Sequence, residues 1–487
     1  MTPELSLGLA LAIPAFAGVL ISLLGRFPNI REAVTLVASV LLAANVAYLV
    51  SVTGARPELN ILDMGGGLSL RFELEPLGAL FAAVAAGLWI VNSLYSIGYM
   101  RGNGEKNQTR FYVCFTIAIL SAMGIALSAN LLTMFLFYEA LTLSTYPLVA
   151  HKGDAKARRG AAIYLSILLG TSIGLLLPAI ITVQYLAGST DFTLGGILGS
   201  EVSPLVSSIL LIMFAFGIGK AALMPVHPWL PNAMVAPTPV SALLHAVAVV
   251  KAGVFSVLKV VTYIFGPALV QQLWAADALA WIAAISIVLA SLIALTKDNL
   301  KARLAFSTVS QLSYVTLGAM LATPLALMGA ALQIVMHAWG KITLFMCAGA
   351  IYTATKKTEI SQMRGLGRLM PWTFGAFAVG AFSIIGLPPF GGTWPKLFLM
   401  LGAIDTGQAI LIAALIISSI LNVAYLLPIP GRGFYEKPAE ETLPKKTPML
   451  VVLPPVITAA GATALFFLIE PIRAFLAPVF DAGVPTP

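Results

Sequence analysis

The stretch FGIGKAALMPVHPWLPNAMVAPTPVSALLHAVAVVK, residues 216–251, decides how the chain is read. It lies in strongly apolar surroundings, yet it holds two lysines, two histidines and five prolines. Lys220 is flanked by Gly217, Gly219, Ala221 and Ala222, small residues that give an amine no polar cover. Charge at bilayer depth is costly, and where it is kept it lines an ion path or pairs with another buried charge. Pro225 follows Lys220 by five residues, so the helix carrying that lysine is expected to break there. Broken membrane helices beside ionisable groups recur in secondary transporters. The expectation is a membrane protein with an ion route through its middle.

Composition supports this. Apolar residues make up 59% of the chain and charged ones only 10%, against about 25% charged in soluble proteins. Apolar runs of membrane-spanning length recur from Leu5 to Leu468, with no soluble-looking domain between them. Glu4 and the lack of a basic residue before the first apolar run argue for a retained first helix rather than a cleaved signal. Cys114 and Cys347 fall in separate apolar segments, so neither a metal motif nor a disulfide is expected. No phosphate-binding glycine loop, metal cluster or nucleophile triad stands out, and no cofactor is expected.

The reading is an all-α polytopic membrane protein, a single transmembrane domain over 1–487. Fourteen helices are predicted, at 4–24, 33–52, 77–98, 110–129, 130–151, 160–186, 205–230, 239–264, 275–296, 303–321, 325–352, 371–400, 406–428 and 447–468. Basic residues gather in the loops after odd-numbered helices. Those loops hold Arg26 and Arg31; Arg101, Lys106 and Arg110; Lys152, Lys156, Arg158 and Arg159; and Lys297, Lys301 and Arg303. They also hold Lys356, Lys357, Arg364 and Arg368, then Arg432, Lys437, Lys445 and Lys446, making twenty of the 28 basic residues. The other side has only Arg56, Arg71, Lys259 and Arg473. By the positive-inside rule both termini face the periplasm or exterior of a plasma membrane. The net charge of +8 is thus explained without nucleic acid.

Four basic residues remain, Lys220, Lys251, Lys341 and Lys396, all inside predicted helices. Among the acids only Glu139 is expected deep in a span. Desolvation disfavours a charged amine and a nearby carboxylate opposes this, so a Lys–Glu pair can be poised between protonation states. A line of such lysines bridged by water and histidine makes a proton relay. His337 and Lys341 are four apart and share a helix face. His245 precedes Lys251 by six residues, about 240° around an α-helix, so those two do not share one. The quieter readings are snorkelling lysines, a structural Glu139, packing roles for His245 and His337, and a hinge role for His227.

A second break resembles the first. Pro388, Pro389 and Pro395 surround Gly391 and Gly392, and Lys396 follows, 176 residues after Lys220. That spacing fits two repeats of about five helices. Helices one to three then occupy 1–99, the first repeat 110–264, the second 275–428, and the last helix 447–468.

Four motifs resemble the proton-conducting antiporter-like family shared by Mrp-type cation/proton antiporters, membrane-bound hydrogenases and respiratory complex I. They are FLFYEALTLSTYPLV (135–149), GKAALMPVHPWLPNAM (219–234), APTPVSALLHAVAVVKAGVF (236–255) and GLPPFGGTWPK (386–396). The resemblance implies two inverted five-helix repeats with half-channels opening on opposite faces. It implies that Glu139 pairs with Lys220, that Lys251 and Lys396 continue a central hydrophilic axis, and that His337 and Lys341 link the halves. A lysine in the twelfth helix is similar to the D-type subunit of Mrp antiporters and to some complex I relatives. The chain stops soon after helix fourteen, so the long lateral helix of the largest members is expected to be absent. Such subunits work with other membrane subunits, moving protons and sodium or potassium. The alternative is a proton-pumping subunit of a redox-driven complex, with the redox chemistry on other chains; on its own this chain is not expected to be an enzyme. A stand-alone transporter for organic solutes leaves the lysine series without a purpose.

Overall fold

Lipid offers a peptide group no hydrogen-bond partner, so each spanning segment must close its own N–H···O=C ladder. The computed structural model describes residues 2–199, 201–438 and 447–480, and of 244–246 the backbone alone. Lys445 and Lys446 of the last basic loop lie outside the described residues.

The chain opens with α1 (Pro3–Leu23) and α2 (Pro28–Ser51), followed by an antiparallel hairpin of β1 (Glu58–Gly65) and β2 (Leu68–Glu73). Next come α3 (Pro76–Gly102), α4 (Gln108–Ala126) and α5 (Leu131–Val149). α6 (Ala155–Thr171) runs through a π-helical turn, Ser172–Leu176, into α7 (Leu177–Ala187). α8 (Pro204–Gly217) leads to a break holding a 3-10 turn (Gly219–Ala221) and the short α9 (Trp229–Asn232). The chain re-enters as a π-helix (Val240–Ala248), continues as α10 (Val249–Val260) and closes with a second π segment (Val261–Phe265). The second half contains α11 (Pro267–Val270), α12 (Trp274–Thr296), α13 (Leu300–Leu321), α14 (Pro324–Thr355) and α15 (Leu366–Leu369). α16 (Pro371–Ile385), α17 (Thr393–Asp405), α18 (Ile410–Leu426), α19 (Pro428–Tyr435), α20 (Met449–Phe467) and α21 (Ile469–Phe480) complete it.

Among the described residues, eleven helices are long and apolar enough to cross a membrane, counting α6–α7 and α18–α19 as one each. The shorter apolar α8 and α16 and the π-flanked α10 accompany them. Many helices start on proline, whose missing N–H falls where no intrahelical partner exists. In α1, α8 and α14 a Thr or Ser cap also accepts a first-turn amide.

α13 and α14 are buried almost throughout and α3 largely so, while α1, α2, α6–α7 and α20 show one side outward. Phe16, Ile181, Ile285 and Ile420 point outward. Lipid solvates such side chains as well as protein does, which leaves the bundle interior to polar groups.

Both breaks differ in position from the sequence reading. The seventh helix ends at Gly217, before Lys220 rather than at Pro225, so Lys220 sits within the break. Close approach is the reason. A Cβ on Gly217 would lie 2.6 Å from the Leu176 nitrogen, and one on Gly219 2.3 Å from Thr171 Oγ1. Pro225 lies farther along, in the turn before α9. In the twelfth helix the chain leaves α16 after Ile385, and Pro388 and Pro389 occupy the connection. Pro395 does not interrupt a helix. It is the third residue of α17, where a missing N–H breaks no bond.

Two elements were absent from the sequence reading. The β1–β2 hairpin turns on Gly65, Gly66 and Gly67, all at positive φ, and Arg71 binds Asp191 at 2.9 Å. α21 packs against α3 and α14.

Candidate functional site

Lys220, Lys251 and Lys341 have no exposed surface and Lys396 is 4% exposed, so none of the four snorkels to a bilayer edge. An intramembrane lysine costs about 2.5–3.5 kcal/mol on insertion scales, so each must find local polar partners.

Lys220 finds them on α5. Its Nζ donates to the Tyr138 carbonyl at 2.8 Å and to Thr142 Oγ1 at 2.5 Å, and it lies 3.2 Å from the centroid of the Tyr138 ring. The Lys220 amide donates to the Tyr138 hydroxyl at 3.0 Å, and the Trp229 indole donates to the Gly219 carbonyl at 2.9 Å. Tyr138 and Trp229 therefore hold the break in shape. Gly253 allows α10 to press against it, since a Cβ there would lie 2.3 Å from the Ala221 nitrogen.

Glu139 is the next residue on α5, and its carboxylate makes no direct salt bridge to Lys220 among the described residues. Both its carboxylate oxygens are buried without a hydrogen-bond partner among the described residues. Its helix neighbours at i−3 and i+4, Leu136 and Leu143, are 46% and 56% exposed. Its neighbour at i+3, Thr142, is wholly buried and holds Lys220, so the carboxylate lies at the edge between the buried and outward sides of α5.

Lys251, on α10, places its Nζ 2.7 Å from His337 Nδ1 on α14. His337 Nε2 is buried without a partner among the described residues. Lys341, one turn along α14, donates to Ser307 Oγ at 2.6 Å and to the Leu304 carbonyl at 3.3 Å. Lys396 donates to the Ile385 carbonyl at 2.6 Å, across the second break, and to Ser419 Oγ at 2.8 Å. The structure thus brings Lys251 and His337 into contact, and gives each of the other lysines its own polar set.

His245 lies on the Val240–Ala248 π-helix, and its side chain is outside the described residues. The α-helical angle between His245 and Lys251 does not apply across π turns, whose bonds run i→i+5. His227, in the turn before α9, has its ring 6.1 Å from Phe306 and touches none of the lysines. His151, between α5 and α6, is pushed down to about 4 by burial first and Arg110 second, and it stands apart from the lysines.

The inventory of buried charge is larger than the sequence suggested. Lys259, counted there among the basic residues of the outer side, lies within α10 with no exposure and pairs with Glu75 at 3.3 Å. Glu75 also caps α3, accepting from the Leu77 and Gly78 amides, and takes the Tyr263 hydroxyl. At the opposite end of α3, buried Glu32 binds Arg31 at 3.4 Å and Arg101 at 2.5 Å. Polar residues missed beside the lysines include Thr142, Ser307, Ser419, Asn422 and Tyr425. Their signal was available: Ser418, Asn422 and Tyr425 recur at helical spacing in an apolar run.

A cavity of about 510 Å³ opens among the basic loops, lined by Lys152, Lys301, Tyr99, Thr238 and Ala348 among others. Ala348 follows Lys341 by seven residues on α14, about 10 Å along the axis. Among the described residues no three His, Cys, Asp or Glu side chains converge as a metal site would require.

A family profile described as "NADH:quinone oxidoreductase/Mrp antiporter, TM" matches residues 128–422. NADH-quinone oxidoreductase subunit N of Desulforudis audaxviator is 30% identical over 437 residues, covering 87% of this chain and 85% of the relative. The A/B subunit of a probable K(+)/H(+) antiporter of Rhizobium meliloti is 32% identical over 349 residues, covering 70% of this chain and 34% of the relative. A chain in the structure of the Mrp complex from Dietzia sp. DQ12-45-1b superposes with a TM-score of 0.88 over 99% of this chain and 98% of that one. Its identity is 20%, so this likeness concerns the fold.

Proposed function

The chain belongs to the NADH:quinone oxidoreductase/Mrp antiporter family of membrane subunits, and from that premise we propose that it is the proton-translocating subunit, of the D type, in a multi-subunit cation/proton antiporter. Protons move along a relay of Glu139, Lys220, Lys251, His337, Lys341 and Lys396, with His245 as a further member. The observation that carries this reading is the buried Lys251–His337 contact at 2.7 Å, with Lys341 one turn beyond on the same helix. An amine and an imidazole at that distance can share a proton, and neither has a structural task that an apolar pair would not do as well.

The cavity among the basic loops is the inner mouth of this route. Its wall at Ala348 stands two helical turns from Lys341. Glu139 is the rim at the other side. A buried carboxylate without a hydrogen-bond partner among the described residues, beside exposed Leu136 and Leu143, suits contact with a neighbouring subunit.

The test uses vesicles holding the whole complex, in which a sodium or potassium gradient drives a pH change. Lys251→Ala and Lys220→Ala are expected to slow that change at least ten-fold while the complex still assembles. Exchange at the wild-type rate in both variants refutes the relay.

A second reading is supported by the subunit N relative, which matches over most of both chains. There the same relay serves a redox-driven complex. The chains that co-purify separate the two: small antiporter subunits for the first reading, electron-transfer subunits for the second.

A further inference from the structure

Lys341 and Lys396 lie on α14 and α17, and the polar groups beside them come largely from two other helices, α13 and α18. Lys341 Nζ is 2.6 Å from Ser307 Oγ of α13, and Ser307 Oγ is 2.7 Å from the Tyr425 hydroxyl of α18. Tyr425 also contacts Asn422 Oδ1. Ser307, Asn422 and Tyr425 all have no exposed surface. One turn earlier on α18, Ser419 is the hydroxyl that Lys396 holds, and Asn422 Nδ2 lies 3.5 Å from the Ile384 carbonyl, next to the carbonyl that Lys396 also holds.

A hydroxyl has one hydrogen and two lone pairs, so Tyr425 can donate to Ser307 or to Asn422 Oδ1 but not to both. The charge on Lys341 decides which arrangements can deliver a proton. An ammonium only donates, so Ser307 accepts from it and its own hydrogen can turn to the Tyr425 oxygen while Tyr425 donates to Asn422. A neutral amine offers a lone pair, so Ser307 donates to it and Tyr425 donates to Ser307. The two hydroxyls then point at Lys341, ready to deliver.

Building on the relay reading above, we propose that Tyr425, acting through Ser307, is a proton-transferring residue that delivers protons to Lys341 from α18. In the transfer, Ser307 gives its proton to the Lys341 amine, Tyr425 gives its own to Ser307, and the transported proton replaces the one lost from Tyr425. Two O–H bonds break and two re-form. One N–H bond forms on Lys341 and one O–H bond is lost from the hydronium that resupplies Tyr425, so a single positive charge has moved onto the amine. Asn422 resets the chain by accepting from Tyr425 once Lys341 is charged. A phenylalanine at 425 keeps the ring and removes the hydroxyl that donates to Ser307.

The experiment compares Tyr425→Phe, Ser307→Ala and the double variant in vesicles of the assembled complex, in H₂O and in D₂O, beside Lys341→Ala and Lys396→Ala. Tyr425→Phe and Ser307→Ala are each expected to lower proton translocation at least ten-fold, and the double variant to be no slower than either. The wild-type deuterium effect is expected to shrink in the variants whose hydroxyl is gone. Wild-type rates in Tyr425→Phe and Ser307→Ala, with Lys341→Ala inactive, overturn this proposal and leave the relay standing. Wild-type rates in the lysine variants as well overturn the relay itself. If Tyr425→Phe fails to assemble, Ser307→Ala decides alone.

Discussion

Lys259 and Lys251 lie eight residues apart on α10 and both are wholly buried, yet their surroundings differ. Lys259 has a carboxylate at 3.3 Å and the Ser128 carbonyl at 2.7 Å, and Glu75 spends its remaining capacity on the α3 cap and Tyr263. That is a clamp between α3, α4 and α10. Lys251 has an imidazole nitrogen at 2.7 Å and no carboxylate contact among the described residues. The difference can be measured. Lys259→Met leaves Glu75 buried without its cation and is expected to cost about 3–5 kcal/mol. Adding Glu75→Gln removes that charge but keeps an acceptor for the capped amides, so most of the loss should return. Unfolding in mixed micelles reads both. A double variant as unstable as the single one would show that the pair is not the clamp.

α10 and the break at Lys220 meet through Gly253, and this is where helix packing sets the geometry of the lysines. A methyl on Gly253 would meet backbone atoms of Lys220 and Ala221 at 2.3 Å, which cannot rotate away. Gly253→Ala is therefore expected to force the break off α10, costing about 1–3 kcal/mol and slowing transport at least ten-fold by moving Lys220. The check is transport and thermal stability together, because an unchanged rate would mean the break has room to shift. The same element explains why the first interruption was read eight residues late in the sequence. Proline marks where a helix cannot continue, but Gly217 and Gly219 give way earlier because a neighbouring π turn occupies the space. The hairpin had a signal too. Two alternating runs flank Gly65, Gly66 and Gly67, a strand signal that is short and weak beside the long apolar runs around it.

At the scale of the molecule, the arrangement is a bundle with apolar residues outward and lysines within, a buried Glu139 carboxylate without a hydrogen-bond partner among the described residues, and a cavity among basic loops. The basic-loop asymmetry gives a further expectation about orientation. After Cys114 and Cys347 are replaced by serine, a cysteine at Leu62 on the hairpin should be labelled from outside intact cells. A cysteine at Lys437 should be labelled only once the membrane is opened. Both positions are exposed, so access to reagent depends on side alone. The opposite pattern would invert the proposed direction of the inner mouth.

Hydropathy, proline and the inventory of lysines are local properties, so the sequence by itself determined a polytopic helical membrane protein, its two interrupted helices and the amines in its interior. Which atom each amine meets is a property of distant segments packed together. Lys251 meets His337 across 86 residues, Lys341 meets Ser307 across 34, and Lys259 meets a carboxylate 184 residues away. In an apolar interior every buried charge must take whatever polar group the packing brings within reach. Only the tertiary structure therefore decided that Glu139 makes no hydrogen bond among the described residues, that Lys259 is clamped, and that Tyr425 reaches Lys341 through Ser307.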